Sequence, residues 1–115
     1  MTKRKMESLR RRLEKLRVEI EQSLRTQEEE YRELSAENLV EVIDEAQTRM
    51  ETQLHDVVRV HDERRLTRVR AALRRIREGA YGACLACGSK IDLGRLDARP
   101  EAAFCIGCER KQEKG

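Results

Sequence analysis

Four cysteines have the types and spacing to do chemistry. Cys84, Cys87, Cys105 and Cys108 form a Cys-x2-Cys, x17, Cys-x2-Cys array, the ligand spacing of a four-thiolate zinc site. Each pair can turn two sulfurs toward one point, and two such turns complete a tetrahedron. Gly88 follows the first pair, where a tight knuckle favours a residue that tolerates positive φ. Between Leu85 and Ile106 the apolar side chains are few (Leu85, Ile91, Leu93, Leu96, Phe104, Ile106), too few to hold a small fold alone. One structural zinc ion would supply the difference, since such sites contribute roughly 10–16 kcal/mol of apparent folding free energy. Four thiolates fill the coordination shell and leave no open position for water, so the pattern is structural rather than catalytic. A thiol redox or zinc sensor is an alternative use of the same cysteines.

The other 111 residues must position that array. Of the whole chain of 115 residues, 41% are charged and 3% aromatic, a composition that suits long helices with a narrow apolar stripe. No apolar run approaches the length of a membrane span, and the basic start Met1-Thr2-Lys3-Arg4-Lys5 leads into no apolar signal core. The expectation is a cytoplasmic monomer with no membrane association. In a reducing compartment paired cysteines are more often metal ligands than disulfides. No nucleophile–base pair or glycine-rich phosphate loop is present, which argues against an enzyme.

Leu9, Leu13, Leu16, Ile20, Leu24, Tyr31 and Leu34 recur at helical spacing, and no proline or glycine interrupts residues 1 to 78. The stripe loses phase around Ser35-Ala36-Glu37-Asn38, which predicts a turn over 35 to 40 with Asn38 as N-cap and Glu41 reaching back. A second helix follows, with Ile43, Ala46, Met50, Leu54, Val57 and Val58, then Leu66, Val69, Leu73, Ile76 and Ala80, as its apolar seam. Residues 59 to 65 are nearly all polar and predict weak pairing; His55 and His61 are read as ordinary polar positions. Gly79 is placed as a left-handed cap ending the second helix. The predicted fold is all-α dominated: a long antiparallel helical hairpin over 1–80 with its tip near 35–46, and a small C4 zinc finger over 81–115. An irregular ribbon is expected between the cysteine pairs, and a short terminal helix from Ile106.

Charge segregates along the chain. Residues 26 to 56 carry ten acids against two arginines, a net of −8, and residues 64 to 78 carry seven arginines against one acid, a net of +6. Solvated helix faces explain charge runs but not this separation of signs. An acidic tip repels phosphates; an arginine-rich base could meet nucleic acid, an anionic nucleotide or an acidic protein surface. A sequence-tolerant DNA-binding zinc module is therefore the second reading.

Three segments carry a family resemblance: Tyr81-Gly82-Ala83-Cys84-Leu85-Ala86-Cys87-Gly88, then Arg95-Leu96-Asp97-Ala98-Arg99-Pro100-Glu101-Ala102, then Cys105-Ile106-Gly107-Cys108. Together they closely resemble the C4 zinc finger of the DksA/TraR family, and the resemblance extends over nearly the whole chain. It implies a regulator that binds bacterial RNA polymerase rather than a specific DNA site, inserts its coil into the secondary channel, and acts through an acidic tip, often with guanosine tetraphosphate. The family's Asp-x-x-Asp-x-Ala tip motif falls on Glu41-Val42-Ile43-Asp44-Glu45-Ala46, so Glu41, Asp44 and Ala46 are the implied tip residues. Arg68 and Arg99 match basic positions of the alarmone site. Glu109 stands where alarmone-responsive members carry a lysine, and a segment that longer members place before the first helix has no counterpart here.

Overall fold

The computed structural model describes the backbone of residues 1–40 and 45–114, and the side chains of residues 1–33 and 49–113. Regular structure is entirely helical among them: α1 (Lys3–Val40), α2 (Glu45–Glu78), α3 (Leu93–Ala98) and α4 (Ile106–Lys114). The expected helical hairpin and C-terminal four-cysteine module are both present. A lone antiparallel bridge joins Ala83 and Lys90. The segment between the cysteine pairs is thus not only ribbon, because α3 occupies its centre.

The ends of the long helices follow from local chemistry. Thr2 accepts the Lys5 N–H on its hydroxyl at 3.1 Å and caps α1. At its C-terminus, α2 closes on Gly79 at φ +75°. Gly79 N–H donates to the Ile76 carbonyl at 3.2 Å and Ala80 N–H to that of Arg75 at 2.9 Å. This pair of bonds is a Schellman motif, which satisfies carbonyls that the last turn leaves open. The predicted turn over 35 to 40 is corrected: α1 continues through Val40, so Asn38 lies inside the helix. No proline or glycine stands there to stop it, and an interior asparagine costs under about 1 kcal/mol. Loss of apolar phase changes what a helix packs against, not its hydrogen-bond ladder. The expected reach of Glu41 falls outside the described residues.

The chain divides into two compact units, Met1–Arg17 with Thr67–Gly115, and Val18–Leu66. In the first unit, Leu9 and Leu13 of α1 are buried, as are Val69, Ala72 and Leu73 of α2 and Tyr81, Ile91, Leu96 and Pro100 of the module. The module therefore shares a core with the two long helices instead of relying on its own few apolar residues.

The second unit is built differently. Ile20 and Leu66 are buried, but beyond them the contacts among the described residues of α1 and α2 are largely polar. Asp62 accepts from Ser23 at 3.2 Å and from Gln27 at 2.6 Å. His55 stands edge-on to the Tyr31 ring, centroids 5.8 Å apart, and its Nε2 lies 3.8 Å from the Glu30 carboxylate. The predicted seam through Met50, Leu54, Val57 and Val58 is corrected, since all four are exposed. Stepping back from Leu66 by alternating four and three residues gives Asp62, Arg59, His55 and Thr52. The proximal seam at Leu66, Val69 and Leu73 sets that phase, and a continuous helix carries it onward whatever residues fall there.

Candidate metal centre

The four sulfurs lie within 4.8 Å of one another, and Cys87 Sγ is 3.8 Å from Cys105 Sγ. A tetrahedron with metal–sulfur bonds of about 2.3 Å has edges of about 3.8 Å, so the cluster is spaced to hold one zinc ion. Cys84 is buried, Cys105 and Cys108 are half-buried and Cys87 is exposed.

Two unlike knuckles supply the pairs. In the first, Cys84 N–H donates to the Ser89 carbonyl at 2.8 Å and Gly88 N–H to the Cys84 carbonyl at 2.9 Å. Gly88 sits at φ +74°, as its position after the pair predicts. In the second, Cys105 precedes α4 and Cys108 occupies its first turn, with Glu109 N–H bonded to the Cys105 carbonyl at 3.0 Å. A helix N-terminus favours thiolate through its oriented N–H groups. Leu85 N–H donates to Ala103 O at 2.9 Å and ties the two knuckles together.

The electrostatics of the cluster are uneven. Backbone N–H groups, that of Cys105 foremost, hold the Cys84 thiol down to about 6. The Ser89 hydroxyl does most to lower that of Cys87. Cys108 is pushed up to about 12 by its sulfur neighbours, Cys105 first. The site thus favours its first thiolates and resists its last. A divalent cation is the group that removes this resistance, because it stabilises every thiolate it binds.

The Arg-Leu-x-Ala-x-Pro element explains itself residue by residue. Arg95 donates from Nε to the Phe104 carbonyl at 3.1 Å and forms an ion pair with Glu109. Leu96 is fully buried. Asp97 meets Lys5 at 2.5 Å, while its carbonyl accepts from Arg12 at 2.6 Å. Pro100 is buried, and its carbonyl accepts the Tyr81 hydroxyl at 2.8 Å. Arg95, Leu96, Asp97 and Pro100 each either fasten the module to α1 or close it internally.

Arg68 and Arg99, singled out by the resemblance, are brought together. Both line a cavity of about 100 Å³ with Arg95, Glu109 and Gln112. Arg95 was readable only as part of its motif, and its engagement of Glu109 was not foreseen. Glu41 and Asp44 lie outside the described residues. Ala46 belongs to α2, and its side chain is outside those described. His61 is exposed and stands 3.7 Å from the neighbouring Asp62 carboxylate, an ordinary polar position as expected. Among the described residues no helix is long and apolar enough to cross a membrane.

Residues 79–114 match the family model of the prokaryotic dksA/traR C4-type zinc finger. A Caulobacter vibrioides protein named RNA polymerase-binding transcription factor DksA is 31% identical over 78 residues, covering 68% of this chain and 55% of its own length. The Escherichia coli protein of that name is 28% identical over 98 residues, covering 85% of this chain and 62% of its own. The chain thus spans between half and two thirds of the curated relatives it matches. The solved structure of transcription factor DksA2 from Pseudomonas aeruginosa superposes with a TM-score of 0.84 at 29% identity, over 99% of this chain and 87% of that one. Cysteine spacing, helical hairpin and sequence agree: the chain is a DksA-like protein whose C-terminal module is a zinc finger of the dksA/traR C4 type.

Proposed function

We propose that this chain is a non-enzymatic transcription regulator that binds bacterial RNA polymerase through the secondary channel and modulates initiation with its acidic tip. What carries the reading is the extent of the likeness to DksA2, which covers 99% of the chain and not the finger alone. A module acting only as a DNA-binding finger would need no such helices. The net charge of −8 over residues 26 to 56 supports a probe that avoids phosphate backbones and enters a channel that admits anionic nucleotides. Cys84, Cys87, Cys105 and Cys108 hold one structural zinc ion, whose chemistry is to fix the finger. Glu41, Asp44 and Ala46 are the regulatory tip residues.

Guanosine tetraphosphate is the proposed co-regulator at the rim of the complex. The support is a small cavity lined by Arg68, Arg95 and Arg99, suited to a polyanion. Glu109 already engages Arg95 there, so the cavity offers a weaker field than three arginines alone would give. The chain acts as a cytoplasmic monomer in this reading.

Co-purification with bacterial core RNA polymerase, and displacement by another secondary-channel factor, tests the binding. Absence of a complex at micromolar protein overturns the reading. Asp44→Asn keeps polymerase affinity and loses the effect on transcription in vitro from a ribosomal RNA promoter. A loss of affinity instead would make the tip a docking element.

A further inference from the structure

Beyond Ile20 and Leu66, the described part of the distal unit is inside out relative to an ordinary coiled coil. Its inner contacts are made by Gln27, His55 and Asp62, and two buried atoms there, Gln27 Oε1 and His55 Nε2, have no hydrogen-bond partner. The large apolar side chains of α2 from Met50 to Val60 are exposed instead. Met50 is 71% exposed and Leu54 and Val57 are each 67% exposed, with Val58 and Val60 also in solvent. Met50, Leu54 and Val57 are spaced by four and three, so they form one stripe along one face of α2. Scattered exposed leucines are ordinary, but five large apolar residues within eleven positions of one helix are not.

The stripe has a size and a setting that narrow its occupant. Five aliphatic side chains amount to on the order of 400 Å², against roughly 800 Å² per partner in a stable interface. A two-fold pairing of this face with a second copy would fall well short. The stripe therefore fits as one part of a larger contact. Leu54 and Val58 also border a shallow cavity of about 400 Å³ whose other walls include Glu30, Glu51 and His55. An apolar centre edged by carboxylates is complementary to a surface with apolar knobs and a basic edge.

We infer that the outward face of α2 formed by Met50, Leu54, Val57 and Val58 is a docking stripe for RNA polymerase, seated against an apolar, basic-edged surface of the enzyme. The inference rests on the polymerase-binding reading and adds to it a face of the coil separate from the tip carboxylates and from the arginine-lined cavity. It also accounts for the polar interior. A helix whose apolar residues are committed to a partner has only its polar residues left to turn toward α1.

The test is affinity for bacterial core RNA polymerase, read by fluorescence anisotropy of the labelled full-length, zinc-loaded chain. Leu54→Ala combined with Val57→Ala keeps a strong helix former at both positions, so helicity by circular dichroism stays at the wild-type level. The double variant is expected to bind at least about tenfold more weakly, as truncation of interface anchors does. Val18→Ala, a matching truncation of an exposed apolar residue on α1, is expected to bind like wild type. If wild-type protein does not bind polymerase, the functional reading itself falls. If wild type binds and the double variant binds within twofold of it, polymerase binding stands and the docking stripe is overturned. If sedimentation shows a wild-type dimer that the double variant converts to monomer, a second copy covers the face and the inference is equally overturned.

Discussion

Tyr81 shows how much one side chain does at the base of the finger. Its hydroxyl reaches the Pro100 carbonyl, and burial pushes its ionisation from 10.0 up to about 12. A phenol whose folded value is raised contributes fully below pH 10, and that contribution is lost as pH rises through 12. Tyr81→Phe is therefore expected to cost about 1 kcal/mol near neutrality and to shallow the fall in stability between pH 10 and 12. Denaturant titrations at a series of pH values measure both. An unchanged alkaline slope would assign it to other groups. Arg75 makes the contrasting point about legibility. Among seven arginines between 64 and 78 nothing in the sequence distinguishes it, yet it is 8% exposed, its Nη2 lacks a hydrogen-bond partner, and burial lowers its pKa. The clustering of the four cysteines, by comparison, was legible in the sequence, because metal ligation demands fixed residue types at fixed spacing.

At the scale of elements, the two halves of α2 obey different rules. In the proximal half Leu66, Val69 and Leu73 point inward, as their spacing predicts. In the distal half the same phase continues onto Thr52, His55, Arg59 and Asp62, and the apolar residues are turned out. Apolar periodicity finds a helix's hydrophobic face, but it cannot say whether that face belongs to the fold or to a partner. That is why the seam was misread while the helix was not. The polar interior has a measurable cost. Gln27→Leu combined with Asp62→Leu removes a buried, incompletely bonded amide and its carboxylate together. This is expected to stabilise the distal unit by about 1–2 kcal/mol, seen as slower amide exchange over residues 20 to 33 and 52 to 66. Faster exchange would mean that the Ser23–Gln27–Asp62 network is a net support. The turn was misplaced for a related reason: a helix without proline or glycine ends where its backbone bonds end, which side-chain phase does not report.

For the whole molecule, the division between the unit holding the finger and the distal unit predicts how metal loss spreads. Removing zinc with a chelator is expected to melt the module, including the six residues of α3 and the nine of α4, while the parts of α1 and α2 in the distal unit stay helical. Far-UV circular dichroism should then show a partial loss of signal, and a single cooperative loss of all helix would contradict it. The pairing of Met1–Arg17 with Thr67–Gly115 also has a meaning in time. Lys5 and Arg12 meet Asp97, so the opening turns of α1 are joined to a residue made at least 85 positions later. At roughly 5–20 residues per second, Leu9 and Leu13 spend on the order of 5–20 s without the residues they are buried with. A helix with five charged residues to two apolar ones in its opening stretch from Lys3 to Arg10 can spend that interval exposed without finding the wrong neighbour.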